Sequence, residues 1–107
     1  SLEISDADRE QLTELIVSAN FEHVIITHGT DTMIETATYL AHRIKNKVIV
    51  ITGAMRPEQF SNSDAPINIG TAIGAVQLLG PGVYIAMHGI VKPWNSIKRN
   101  LDTGKYY

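Results

Sequence analysis

Val24-Ile25-Ile26-Thr27-His28-Gly29-Thr30-Asp31-Thr32-Met33 is the stretch that decides how this chain folds. A short β-branched run, apolar on both faces, reads as a parallel strand covered by helices. Gly29 then lets the backbone turn sharply. From residue 32 to 45 the pattern becomes helical, with Met33, Ala37, Leu40, Ala41 and Ile44 along one side. The stretch is strand, tight turn, helix, which is the first half of a βαβ unit.

The flanking sequence repeats this grammar. Lys47 to Thr52 is a second buried strand, closed by Gly53. Arg56 to Asp64 is polar and carries Pro57, so it reads as a loop. Ile67 to Leu79 is an apolar helix in which Gly70 and Gly74 permit close packing, and Gly80-Pro81-Gly82 ends it. Val83 to Met87 is a third strand. His88 to Tyr107, with Pro93, Asn95, Asn100 and Gly104, reads as loops with short pieces of structure. Upstream, residues 5–19 form an amphipathic helix. Ser5 is the N-cap, and Asp6 and Asp8 lie in the first turn, where the helix dipole favours negative charge. Leu12, Leu15, Ile16 and Ala19 form its buried face, with Arg9, Glu10 and Glu14 turned outward.

This alternation predicts an α/β fold: a three-layer Rossmann-like parallel sheet flanked by helices, with right-handed crossovers. At 107 residues the chain is expected to be one domain, residues 1–107. Three parallel strands leave two open edges, a liability that proteins normally cover. The chain also opens on Ser1 and goes almost directly into a helix, so the sheet reads as incomplete at its N-terminus, or completed by a partner chain.

Bulk properties narrow the function. Hydrophobic residues make up 44 % and charged ones 19 %, an ordinary globular balance. The net charge is -2, and Lys98-Arg99 is the only adjacent basic pair, so no nucleic-acid partner is expected. No apolar run approaches the ~20 residues needed to cross a bilayer, and Ser1-Leu2-Glu3-Ile4 is no signal peptide. A soluble cytoplasmic protein is the expectation. There is no cysteine, and the four histidines lack metal-ligand spacing, so neither a metal nor a cofactor is expected. A dinucleotide fingerprint and a P-loop are both missing.

In open α/β sheets, ligands bind beyond the carboxyl ends of the strands. That rule selects His28 to Thr32, Gly53 to Pro57, and His88 onward. In the first, Gly29 allows close approach, Thr30 and Thr32 offer hydroxyls, and Asp31 offers a carboxylate. Any one of them alone reads more readily as an N-cap; the set together points to a small polar ligand. In the second, Gly53-Ala54 leaves room on the backbone, and Arg56 could clamp a substrate or bridge loops. In the third, His88 stands where a base could act, although a single His at a strand end is more often structural.

The blocks Val24 to Met33 continuing into Glu35-Thr36-Ala37, Ile51-Thr52-Gly53-Ala54-Met55-Arg56-Pro57, Ser63-Asp64-Ala65-Pro66-Ile67-Asn68, and Gly82 to Met87 resemble consecutive signatures of the bacterial-type L-asparaginases. The resemblance runs from about Asp6 to Tyr107. It implies hydrolysis of asparagine, often also glutamine, to the acid and ammonia, without a cofactor. It implies a catalytic set of Thr30, Asp31 and Lys98, with Thr30 as supporting or second nucleophilic threonine. Gly29, Thr30, Asp31 and Ala54 would bind substrate, Asp31 holding the α-amino group and Ala54 giving backbone contact near the scissile amide. A carboxylate matches an ammonium, and a hydroxyl needs a base or nearby cation to become a nucleophile.

Two departures stand out. The family's Thr-Gly-Gly-Thr-Ile segment, which brings the principal nucleophile, does not occur in these residues. An ungapped count from the third strand puts Arg99 at the family lysine, with Lys98 just before it; a one-residue shift brings Lys98 into place. Arg stays protonated and cannot shuttle a proton as a lysine can. His88 stands where relatives are expected to carry Asn. Full-length relatives place their sites at interfaces between protomers, so a homo-oligomer, dimer or tetramer, is expected. The alternative function is a non-catalytic domain of this fold that binds an acidic amino acid or a related ligand.

Overall fold

The computed structural model describes residues 4–56 and 62–107; Ser1 to Glu3 and the Pro57 part of the expected loop lie outside the described residues. Seven elements follow in order: α1 (Asp6–Ser18), β1 (His23–Thr27), α2 (Met33–Arg43), β2 (Val48–Thr52), α3 (Ala65–Val76), β3 (Gly82–Met87) and β4 (Ile90–Pro93). The sheet order is β1-β2-β3-β4, with the first two pairings parallel and the last antiparallel. This is an α/β fold with a mixed sheet. The fourth strand corrects the three-stranded reading.

Each element follows from its local chemistry. Ser5 caps α1 through a reciprocal pair: its hydroxyl accepts from the Asp8 amide at 3.2 Å, and the Asp8 carboxylate accepts from the Ser5 amide at 2.9 Å. The strand β2 is buried along its whole length, as a run apolar on both faces requires. The helix α3 begins two residues earlier than the sequence predicts, at Ala65. Pro66 fits there because the first helical turn has no use for its missing N–H. β3 returns into β4 through a two-residue turn, His88-Gly89, with φ 58° and 80°. Two positive φ values mark the turn type whose twist suits a tight hairpin.

The core has two parts. On one face, Met33, Ala37 and Leu40 of α2 pack on Ile49, Ile51, Val83 and Ile85. On the other, Ala72 and Val76 of α3 pack on Val48, Val50 and Ala86. Fully burying each such Ile or Leu contributes roughly 1.5–3 kcal/mol, and truncating Ile51 to Ala would cost about 2–5 kcal/mol. The two crossover helices therefore lie on opposite faces while the strands advance in one direction. Such crossovers have opposite hands, so one of the two breaks the right-handed rule. This corrects the expectation that both are right-handed. The doubly apolar β2 explains the arrangement: with both helices on one face, Val48 and Val50 would be left uncovered.

The α1 helix also differs from its sequence reading. Arg9, expected outward, is buried, and Leu15, expected inward, is 67 % exposed. The helix docks through Arg9 and Ile16, two turns apart on one line, because Arg9 finds a buried hydroxyl on α2. Leu12 is half-buried against the same core as Ile16, as expected, while Leu15 and Ala19 face an apolar groove beside β1, the edge strand. Among the described residues, no helix is long and apolar enough to cross a membrane.

Candidate functional site at the carboxyl ends of the parallel strands

Parallel strands deliver their last residues to one end of the sheet, and three loops meet there. The turn after β1 starts with His28, whose amide still donates to the Thr52 carbonyl at 2.8 Å and so prolongs the sheet by one residue. α2 then starts with Thr32 in the N-cap position, but its side chain makes no capping bond. The simple capping account of Thr32 therefore does not describe its role here.

The loop after β2 passes directly under this turn. A Cβ on Gly53 would sit 2.3 Å from the His28 carbonyl oxygen and 2.7 Å from the Met33 methyl, so only glycine fits. The close approach opens a cleft of about 400 Å³ lined by Thr27, His28, Gly29, Gly53, Ala54, Ala65 and Ile69. Gly29 and Ala54, both expected to bind substrate, meet in this cleft. A second recess of about 250 Å³ lies on the far side of the turn and is lined by Asp31, Ile34, Glu35, Arg99, Leu101 and Tyr106. Asp31 belongs to this second recess, so the Gly29 to Asp31 turn separates two cavities.

The fully buried Asn68 holds the strand ends together. Its amide nitrogen donates to the Gly53 carbonyl and to the Asp64 carboxylate, both at 2.9 Å, and its oxygen accepts from the His88 amide at 3.0 Å. Asp64 in turn accepts from the Met55 and Arg56 amides at 3.0 Å. Burial opposes its ionisation, yet the backbone donors of Arg56 and Met55, with Asn68, win and hold its carboxyl below the usual aspartate value. Sequence reasoning gave Asn68 no role. Its signal was a lone amide between Ile67 and Ile69 in an apolar helix.

The segment after β4 folds back onto the turn. Arg99 and Tyr106 face each other in an antiparallel bridge, flanked by paired backbone bonds between Lys98 and Tyr107. Tyr106 donates its hydroxyl to the Thr30 carbonyl. Its phenol is pushed up to about 12, chiefly by burial and further by Glu35 and Asp31, against the opposing pull of Arg99. It stays a donor at any ordinary pH. Arg99 donates through Nε to the Gly104 carbonyl at 2.9 Å and through Nη1 to Asp31 at 3.4 Å. That pair is long, and the Asp31 side chain is 78 % exposed, so it contributes little to stability. Lys98 is exposed and alternates with Arg99 along the ribbon. Of the two basic residues, Arg99 is the one at the carboxylate.

His88 is absent from both cavities. Its ring lies against Tyr106, with centroids 6.3 Å apart, and its backbone makes the hairpin turn. Arg56 is exposed and donates its amide to Asp64. Among the described residues, no group of three or more His, Cys, Asp or Glu side chains could hold a metal ion.

An open α/β domain with small-molecule recesses around a Gly-Thr-Asp turn at its strand ends is the class of protein that fold and site define. A family model described as "Asparaginase, N-terminal" matches residues 1–103, and the chain belongs to that family. It is 43 % identical over 68 residues to an L-asparaginase of Thermococcus kodakarensis, covering 62 % of this chain and 21 % of the relative. The solved structure of that organism's thermostable L-asparaginase superposes with a TM-score of 0.83 at 31 % identity, covering 90 % of this chain and 30 % of the other. One component of the glutamyl-tRNA(Gln) amidotransferase of Methanococcus vannielii is 44 % identical over 69 residues, 64 % of this chain and 16 % of its own. A probable L-asparaginase 4 of Schizosaccharomyces pombe is 34 % identical across 97 % of this chain and 33 % of its own. This chain thus spans a third or less of these relatives.

Proposed function

We propose that this chain supplies the substrate-holding part of an amidohydrolase site for a small α-amino acid amide, L-asparagine or L-glutamine. One observation carries the reading. Within three residues the turn offers a glycine backbone at a small-residue cleft and a largely exposed carboxylate at the adjoining recess. Asp31 takes the substrate ammonium, Gly29 and Ala54 contact the substrate through their backbone, and the Thr30 hydroxyl acts on the amide with a basic residue, Lys98 or Arg99, nearby. In the reaction, a threonine oxygen bonds to the amide carbon, the C–N bond breaks, and ammonia leaves with the transferred proton. Water then cleaves the resulting ester, giving the acid and restoring the hydroxyl. The principal nucleophilic threonine comes from outside these 107 residues, and the working protein is a homo-oligomer, a dimer or tetramer.

A second reading, ligand binding without turnover, is favoured by one observation: Arg99, which cannot act as a base, is the cation at Asp31. Measuring ammonia release from asparagine and glutamine, with calorimetry of L-aspartate binding, separates the two. Aspartate binding that is lost in Asp31→Ala is expected under both readings, and ammonia release only under the first. Wild-type protein that neither binds aspartate nor releases ammonia refutes both.

A further inference from the structure

Arg9 is a charged side chain only 8 % exposed, on a helix that lines neither cavity of the site. Its Nε donates at 2.9 Å to the hydroxyl of Thr36, a fully buried residue of α2 that lies 27 positions away in sequence. That hydroxyl is 2.8 Å from Nε2 of His28, and Nδ1 of the same ring is 2.7 Å from the Gly29 carbonyl oxygen. A carbonyl can only accept, so Nδ1 carries a proton. A chain in which every link is satisfied then runs one way. Arg9 donates to Thr36, the Thr36 hydroxyl donates to Nε2, and Nδ1–H donates to the Gly29 carbonyl. The tautomer is assigned from this network.

The end of the chain is the peptide between Gly29 and Thr30. Its carbonyl is fixed toward the ring, and in a trans peptide the Thr30 amide N–H therefore points the opposite way. The next carbonyl, that of Thr30, is held by Tyr106. Two successive peptide planes in the ligand-facing turn are thus set by side chains, one from each direction along the sequence.

We propose that Arg9, Thr36 and His28 are positioning residues that set the Gly29–Thr30 peptide plane, so that affinity at the turn depends on a helix that never touches the ligand. The affinity part rests on the site reading above; the geometric part does not. In solution, Arg9, Thr36 and His28 act as one relay, because removing the central hydroxyl frees the ring to rotate or change tautomer. The Asp6 carboxylate, 3.0 Å from Nη1 of Arg9, holds the far end.

The experiment uses the full chain, labelled with nitrogen-15, and compares wild type, Thr36→Val, Thr36→Ser and Arg9→Met. Long-range proton–nitrogen correlation reads the His28 tautomer, the Thr30 amide resonance reads the peptide plane, and calorimetry reads L-aspartate affinity. Wild type is expected to show the Nδ1–H tautomer. Thr36→Val is expected to lose it, to move the Thr30 amide resonance and to weaken aspartate binding at least tenfold, on the order of one lost buried hydrogen bond. Thr36→Ser should restore all three to within about threefold of wild type, since it keeps the hydroxyl. An unchanged tautomer and Thr30 resonance in Thr36→Val overturn the proposal, as does equal weakening by Ser and Val. If Thr36→Val fails to fold, Arg9→Met should still move the Thr30 resonance, and no movement there overturns it. Absence of aspartate binding in wild type overturns the site reading, while the tautomer and the Thr30 resonance still decide the relay.

Discussion

Replacing Gly53 with Ala is the sharpest perturbation of the site's scaffold. The new methyl would lie 2.3 Å from the His28 carbonyl oxygen, about 1 Å closer than ordinary contact allows. That oxygen cannot yield cheaply, because the neighbouring His28 amide is tied to Thr52 at 2.8 Å. The second neighbour, the Met33 methyl at 2.7 Å, belongs to a fully buried side chain. Overpacking of this kind costs roughly 1–3 kcal/mol, and backbone involvement places it at the upper end. Alanine recovers about 0.4–1 kcal/mol by restricting the unfolded chain, which leaves a net loss of about 2 kcal/mol. For a domain of this size each kcal/mol moves Tm by about 4–8 °C, so Tm should fall by about 8–16 °C. Thermal unfolding followed by circular dichroism reads this directly. Gly70→Ala is the control: it sits mid-helix with nothing within 4 Å of its missing Cβ, and should gain about 0.5–1 kcal/mol. A Gly53→Ala protein melting within 2 °C of wild type, on the order of a quarter of the smallest expected shift, would refute the steric reasoning.

Three further outcomes are expected. Asn68→Leu removes the partner of the Gly53 carbonyl and the His88 amide, each worth about 1–3 kcal/mol when stranded, so urea unfolding should show a loss of about 3 kcal/mol; a loss under about 1 kcal/mol contradicts the bridging role. Asp64 has a folded-state pKa below the ordinary 3.8, so its contribution is present above that value and disappears as pH falls through the lower, folded one. The stability difference between wild type and Asp64→Asn, from urea titrations at several pH values, should therefore be constant near neutrality and shrink in acid; a difference that grows on acidification excludes this linkage. His88 adopts φ 58° at the first position of a two-residue hairpin, where Asn is better tolerated, so His88→Asn should raise stability by about 0.5 kcal/mol. A clear drop in Tm would show that the ring's contact with Tyr106 outweighs the turn.

Three strands were legible from their β-branched apolar runs, and β2 is covered on both faces as such a run implies; β1 corrects the same expectation, because as the edge strand it leaves Ile25 exposed. The fourth was not. Ile90-Val91-Lys92-Pro93 is short, ends in proline, and is introduced by His-Gly rather than the Asn-Gly or Asp-Gly that announces a hairpin. Nor could sequence show the opposite hands of the crossovers, since a helix's apolar stripe does not say which face of the sheet it will cover. The turn at Gly29 to Asp31 was legible because a β-branched run that stops at a glycine before a helical pattern must turn there. Arg9 and Asn68 were not, because what makes each necessary is a partner far along the chain: Thr36 for Arg9, and His88 for Asn68. Periodicity assigns a charged residue to the surface and cannot anticipate a buried hydroxyl waiting for it.

The two holds on the turn after β1 also have a temporal meaning. Arg99 lies 68 positions after Asp31, and Tyr106 lies 76 after Thr30. At roughly 5–20 residues per second of synthesis, the turn leaves the ribosome some 4–15 s before its last restraint does. A nascent chain therefore carries the turn long before it carries the ribbon that holds it, and the turn takes its final shape only when residues 98–107 have folded back.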